Sequence, residues 1–294
     1  MIDLNVISCG SINIVIMFKN IFYVLLLFTT LGVPAQNLSV LSYNIKYDNP
    51  NDTENNWNDR KDFLISQLRF NEPDIFGTQE GLINQLQEID KNLQHYKFVG
   101  IGRDHGDKRG EHTAIFYNTD RIDLLKHNTF WLSETPQIPS KGWDAALNRI
   151  CTYAMFEFKA SGEKFIVFNT HFDHIGDLAR VESAKLILKK IKEVNTDNLP
   201  VVLMGDFNLQ EKDQGIQYIT TVMKDTYVAA GENSFGPKGT FNGFKFENPV
   251  DKRIDFIFVS DKLSVLKSAI FSDSRNCKYP SDHFPVYALL KFIK

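Results

Sequence analysis

Cysteine is scarce in this chain, with three residues in 294, at Cys9, Cys151 and Cys277. So few thiols in a chain of this size cannot form a disulfide scaffold. No pair has the spacing of a zinc finger, so a structural zinc is not expected. Charge of one sign is also lacking. The net charge of −3 leaves no global basic field to gather nucleic acid, although a local basic rim and a metal could still hold a polyanion. Residues 37–294 contain no internal repeat, low-complexity tract or linker, which argues for one domain over 36–294. What the chain does have is an ordinary apolar share, 43% hydrophobic, with Phe 24 and Tyr 10. That supply suits a broad sheet core.

The first 35 residues have the pattern of a targeting segment. Met17, Phe18 and Lys19 make a short basic start, 21–31 is mostly apolar, and Val33-Pro34-Ala35 supplies a cleavage pattern. The apolar run falls short of the ~20 residues a membrane-spanning helix needs. Lys19 interrupts any longer one, which disfavours an uncleaved anchor. A signal peptide over 1–35 is expected, with translation starting at Met17 and the mature chain near Gln36. The product would be exported, periplasmic or extracellular.

Strand-like runs recur at 38–43, 114–117, 165–168, 201–204, 254–259 and 286–292. Helical spacing intervenes: Leu82, Leu86, Ile89 and Leu93 share one face, as do Val181, Ala184, Leu188 and Ile191. A further helix is expected around Trp57, Leu64 and Leu68. Some strands follow one another directly and others alternate with helices, which predicts packed mixed sheets with helices outside. Asn44, Glu80, His171 and Asp206 each close an apolar run, where layered folds build sites.

Gly205-Asp206-Phe207-Asn208 ends an apolar run, with the two polar side chains expected on the same side of an extended chain. Such a pair can orient a water and an oxyanion. His171 could donate to a phosphoryl oxygen, with imidazolium available near neutral pH; its neighbour His174 is as well read as a hydrogen-bonded surface group. Asp255 lies among Ile254, Phe256, Ile257 and Phe258, and a buried carboxylate there needs a partner. His283 is the natural one, giving an acid–imidazole dyad. Glu80 offers a hard oxygen ligand for Mg²⁺, Asn44 a metal or phosphate contact, and Glu111 a buttress for a histidine.

Together Asn44, Thr78-Gln79-Glu80, Asn169-Thr170-His171, Gly205-Asp206-Phe207-Asn208, Arg253-Ile254-Asp255 and Ser281-Asp282-His283 resemble the endonuclease/exonuclease/phosphatase superfamily. The resemblance spans 38–292. It implies a four-layer α/β sandwich, two packed mixed β-sheets flanked by helices, and hydrolysis of a phosphate ester by an activated water. It further implies Mg²⁺ or Mn²⁺ at Glu80, helped by Asn44, with Asp282 as a further ligand. Asp206 and His283 would position and activate the water, with Asp255 holding His283. His171 and Asn208 would stabilise phosphoryl charge, and Glu111 would orient His171. Arg149 and Arg180 are candidates for the substrate phosphate or for surface ion pairs.

The segment 169–174 disfavours the base-excision endonucleases, and Asn208-Leu209-Gln210 departs from the inositol polyphosphate 5-phosphatases. Nucleic acid, nucleotide, lipid head group and sugar phosphate remain open as substrates, and no obligatory protein partner is inferred. The rival reading, a non-catalytic binding module on this fold, would be expected to have lost one of Glu80, His171, Asp206, Asn208 or His283. All are present. The loop 231–248, rich in Gly, Phe and Asn, suits a pocket wall better than a basic DNA groove.

Overall fold

The computed structural model describes residues 37–293; the expected signal peptide lies outside them. In chain order the strands are β1 (Asn37–Asn44), β2 (Ile75–Gly81), β3 (Tyr96–Val99), β4 (His112–Asn118), β5 (Ile122–Trp131), β6 (Ile150–Phe158) and β7 (Lys164–His171). They continue with β8 (Val201–Asp206), β9 (Lys224–Asp225), β10 (Ser234–Phe235), β11 (Asp255–Val259), β12 (Leu263–Ile270) and β13 (Val286–Phe292). The helices are α1 (Trp57–Asn71), α2 (Ile83–Asn92), α3 (Asp177–Val194), α4 (Gln214–Thr220) and α5 (Thr226–Ala230).

The strands form a sheet of order β10-β12-β13-β1-β2-β4-β3 and a second of order β5-β6-β7-β8-β11-β9. Both are mixed: β1 runs parallel to β2 and antiparallel to β13, while β7 runs parallel to β8 and β8 antiparallel to β11. The expected four-layer sandwich is therefore the observed architecture.

Continuous apolar runs make this arrangement possible, because the inner strands bury both faces. Val202 and Met204 of β8, Phe165 and Val167 of β7, and Ile257 of β11 point into the core between the sheets. Their neighbours Leu203, Ile166, Phe168, Phe256 and Phe258 face outward beneath α3 and α4. In the first sheet Leu41, Tyr43 and Phe76 turn outward onto Trp57, Leu64 and Leu68 of α1 and Leu86 and Ile89 of α2. Each fully buried side chain of this size contributes about 1.5–3 kcal/mol, so burial on three levels clamps the layers. The face expected for α3 is rotated. Val181 and Ile191 are only half-buried, and Ala179, Ser183, Ala184, Ile187 and Leu188 are the covered residues. Small Ala and Ser let the helix lie close to the sheet.

One buried side chain stitches the sheets near their site end. The Asn169 amide of β7 donates to the carbonyls of Thr78 (2.9 Å) and Ala114 (2.8 Å) in the opposite sheet. It accepts from Gln79 Nε2 at 2.7 Å. Leaving such a buried group unsatisfied would cost about 1–3 kcal/mol.

Gly205 precedes Asp206 with φ of +151° and has no room for a side chain: a Cβ there would lie 2.1 Å from the Thr170 carbonyl oxygen. That atom is backbone of the adjacent strand and cannot swing away. Gly205→Ala is therefore expected to destabilise the fold by roughly 1–3 kcal/mol, read as a lower denaturation midpoint in urea. An unchanged midpoint would contradict this strand geometry.

Candidate active site

Strand register assembles the centre. Asp206, the last residue of β8, pairs with His171 of β7 on one side and with Asp255 of β11 on the other. His283 reaches the same point from the segment before β13, and its Nδ1 lies 2.8 Å from Asp255 Oδ2. Its Nε2 is 3.8 Å from Asp206 Oδ2, and His171 Nε2 is 3.5 Å from the same oxygen.

The first sheet contributes Asn44 and Glu80. Between Thr78 and Gly81 the pairing of β2 with β4 slips, and Glu80 takes a left-handed φ of +63°. Strained backbone of this kind is stored where a side chain must be re-aimed. The Asn44 amide donates to Glu80 Oε1 (3.1 Å) and to Asp206 Oδ2 (2.9 Å), joining carboxylates of the two sheets.

Glu80 and Asp282 converge on one positive charge, with Lys46 Nζ 3.5 Å from Glu80 Oε2 and 3.4 Å from Asp282 Oδ2. Burial alone would raise Glu80, but Lys46 and His283 hold it below the usual carboxylate value. An all-oxygen donor pair already gathered around a cation suits Mg²⁺ or Mn²⁺. Asp206, Asp255 and His283 also place donor atoms within 4.8 Å of one another. Their Asp255–His283 hydrogen bond occupies Nδ1, however, so this trio reads better as a proton-handling group than as a metal centre.

Several expectations are corrected. Asp206 and Asn208 do not lie along one extended chain. Asn208 adopts φ of +48°, its N–H donates to Asp206 Oδ1 (2.9 Å), and its amide donates to the Phe172 carbonyl (3.0 Å). The turn still leaves Asn208 on the cavity wall. His171 is not an available imidazolium: burial and the nearby Arg149 and Arg103 push it well below its ordinary value, so it is neutral. Glu111 does not bond to His171, its Oε2 standing 3.8 Å from Nδ1. Arg103 holds it instead, with two bonds of 2.7 and 2.8 Å. Arg180 is no part of the cavity wall; it bonds to the Asp173 carbonyl (3.3 Å) and pairs with Asp177.

Arg149 is the opposite case. It is buried and lines the cavity, and its Nη1, shielded from solvent, has no hydrogen-bond partner among the described residues. Its Nε is 3.5 Å from Asp173 and its Nη2 is 3.0 Å from His174 Nδ1. The cavity these groups share measures ≈ 780 Å³. Lys46, Arg103 and Phe241 also line it and were not singled out from sequence. Arg103 lies eight residues before Glu111, but nothing in the sequence pairs them. Arg60 was missed as well. Buried on α1, it donates to the carbonyls of Lys46 (2.6 Å) and Pro280 (3.1 Å), fixing the loops that carry Lys46 and Asp282.

Protons divide unevenly over the centre. Burial would lower His283, yet the Asp255 and Asp206 carboxylates outweigh it and push it up to about 10. Burial, reinforced by the Asp255 charge, pushes Asp206 up to about 7. At neutral pH, then, His283 is a cation and Asp206 is poised to exchange a proton.

The chain belongs to the endonuclease/exonuclease/phosphatase family, whose model matches residues 41–283. It is similar to a crystal structure of a Bacteroides thetaiotaomicron member of that family, at 40% identity and a TM-score of 0.84, covering 88% of this chain and 99% of that one. It is also similar to a mannosyl-6-phosphatase of Bacteroides thetaiotaomicron, at 41% identity and a TM-score of 0.82, covering 87% of this chain and 100% of that one. An uncharacterised protein of Acanthamoeba polyphaga mimivirus is 31% identical over 53% of this chain; the match spans only 60% of that relative's length. Members of this family are phosphoesterases.

The raised value of His283 makes stability depend on pH. Because it exceeds the unfolded-state value of about 6.5, the stabilisation is fully present below that pH and is lost as pH rises through about 10. Asp255→Asn should therefore cost more unfolding free energy near pH 6 than near pH 10.5, both estimates following from this linkage. Equal costs at the two pH values would show that Asp255 does not hold the proton on His283.

Proposed function

We propose that the chain is a divalent-cation-dependent phosphatase that hydrolyses the phosphate ester of a phosphorylated sugar. The observation that carries this is the shared cavity, where Asp206, His171, His283 and Asn208 meet the Glu80–Asp282 pair and the buried Arg149 guanidinium. The sugar is supported by 41% identity to a mannosyl-6-phosphatase along that protein's full length. It is supported too by a chain with no basic surplus to attract nucleic acid.

Glu80 and Asp282, with Asn44 beside them, would hold Mg²⁺ or Mn²⁺, which supplies charge neutralisation at a phosphoryl oxygen. Asp206 accepts the proton of the attacking water, since a carboxylate near 7 is matched to that task at neutral pH. His283 cannot take that proton while already charged; its Nε2–H donates to the reacting oxygens, and Asp255 fixes the ring by holding Nδ1–H. Neutral His171 and the Asn208 amide donate to phosphoryl oxygens, where charge grows in the transition state. The Arg149 guanidinium on the cavity wall adds positive charge beside the phosphate. The water oxygen bonds to phosphorus as the bond to the sugar oxygen breaks in line.

The decisive experiment is phosphate release with Mg²⁺ from sugar phosphates, nucleotides, DNA and phospholipid head groups, with sugar phosphates expected to lead. kcat/KM should rise with pH through about 7 as Asp206 loses its proton. His283→Ala should lower kcat by about 10²–10⁴-fold; near-normal kcat in that variant would refute the mechanism. Cation binding is checked without turnover: Mg²⁺ should raise the thermal midpoint of the wild type and leave that of Glu80→Gln unmoved. An equal rise in both would remove Glu80 from the metal site.

A further inference from the structure

One side of the cavity has no role in the chemistry above. Phe241, Gln210, Asp213, Lys252 and Ile254 line it. Phe241 is a large apolar residue left 38% exposed, and its ring stands 5.1 Å from the His283 ring, tilted by 67°. Its place is set by backbone pairing. Phe241 bridges to His283, and its N–H donates to the Lys252 carbonyl at 3.1 Å. Next to it, buried Thr240 accepts from the N–H groups of Ile254 (3.0 Å) and Asp255 (3.1 Å) through its hydroxyl. The ring is thus a fixed, partly exposed wall beside the proton-handling histidine.

Polar groups lining the same cavity are underused. Among the described residues neither the Gln210 amide nor the Lys252 ammonium has a hydrogen-bond or ion-pair partner, and Asp213 accepts a single bond, from the Gln210 N–H at 2.7 Å. An exposed aromatic ring in a cavity also lined by a free amide, a carboxylate and an ammonium is amphipathic in the same sense as a pyranose. The C–H face of a sugar packs on an aromatic ring, and its hydroxyls take donors and acceptors at the rim. A nucleobase would use the ring equally well. The rim favours a ligand bearing several hydroxyls, each able to donate and accept.

We infer that Phe241, with Gln210, Asp213 and Lys252, forms a sugar-ring subsite that holds the leaving group of the ester against His283. This rests on the phosphorylated-sugar reading and deepens it, since it assigns substrate selectivity to one wall. Phe241 does not touch the phosphate and so acts on the choice of leaving group.

The test compares kcat/KM for mannose 6-phosphate, adenosine 5′-monophosphate and glycerol 3-phosphate, whose leaving group has no ring. Wild type, Phe241→Ala and Phe241→Tyr are measured side by side. The preference for mannose 6-phosphate over glycerol 3-phosphate should fall about tenfold in Phe241→Ala and persist in Phe241→Tyr. Free mannose should also inhibit Phe241→Ala more weakly than wild type. An unchanged preference, or a loss equal on both substrates, overturns the subsite and leaves Phe241 as packing for His283. A tenfold loss confined to adenosine 5′-monophosphate overturns it in favour of a base-stacking wall. Failure of the underlying reading shows separately: wild type would then hydrolyse no sugar phosphate at all.

Discussion

A single side-chain amide holds the two halves of the centre together. Asn44 ends a strand of one sheet and donates from its Nδ2 both to Glu80, in its own sheet, and to Asp206, in the other. Carboxylates carried so close together repel unless a donor, a cation or a proton intervenes. Asn44 supplies the donor, Lys46 the cation beside Glu80 and Asp282, and His283 the proton beside Asp206 and Asp255. These three groups offset the repulsion where the sheet ends meet.

The same crowding creates the chemistry. Asp206 and Asp255 face each other across paired strands, so both cannot be comfortable as bare anions in a buried setting. The strain divides in two ways: His283 is held as a cation, and Asp206 is driven towards neutral pH. One residue orients and donates while the other accepts. Burial, reinforced by Arg149 and Arg103, imposes the mirror image on His171, keeping it neutral beside a positive wall. The positive charge of that wall is a place for an anion.

Much of the fold was legible because its physics is local. Runs such as 201–204 and 256–259 are apolar at every position, as a strand covered on both faces requires. The helices over 57–71 and 83–92 show their spacing in Trp57, Leu64, Leu68, Leu86 and Ile89. Most polar residues brought together in the cavity were also visible, since each interrupts or closes an apolar run. The rest was hidden because it depends on distance and charge. Glu111 is expected to orient His171 until Arg103 is seen to hold both of its oxygens. Arg149 and Arg180 look alike in sequence, yet one is buried against the cavity and the other is bound to Asp173 and Asp177.

By itself the sequence determined which residue types stand at the strand ends, and with them the family and the class of reaction. Alternation, apolar runs and turn residues act over a few positions and need no partner from elsewhere in the chain. Only the tertiary structure decided which of those residues are charged, which share hydrogen bonds and which wall of the cavity is left free. Those properties arise from burial and from neighbours up to 239 residues apart, as with Asn44 and His283. No local pattern encodes such a distance; the closing of one sheet upon the other sets it.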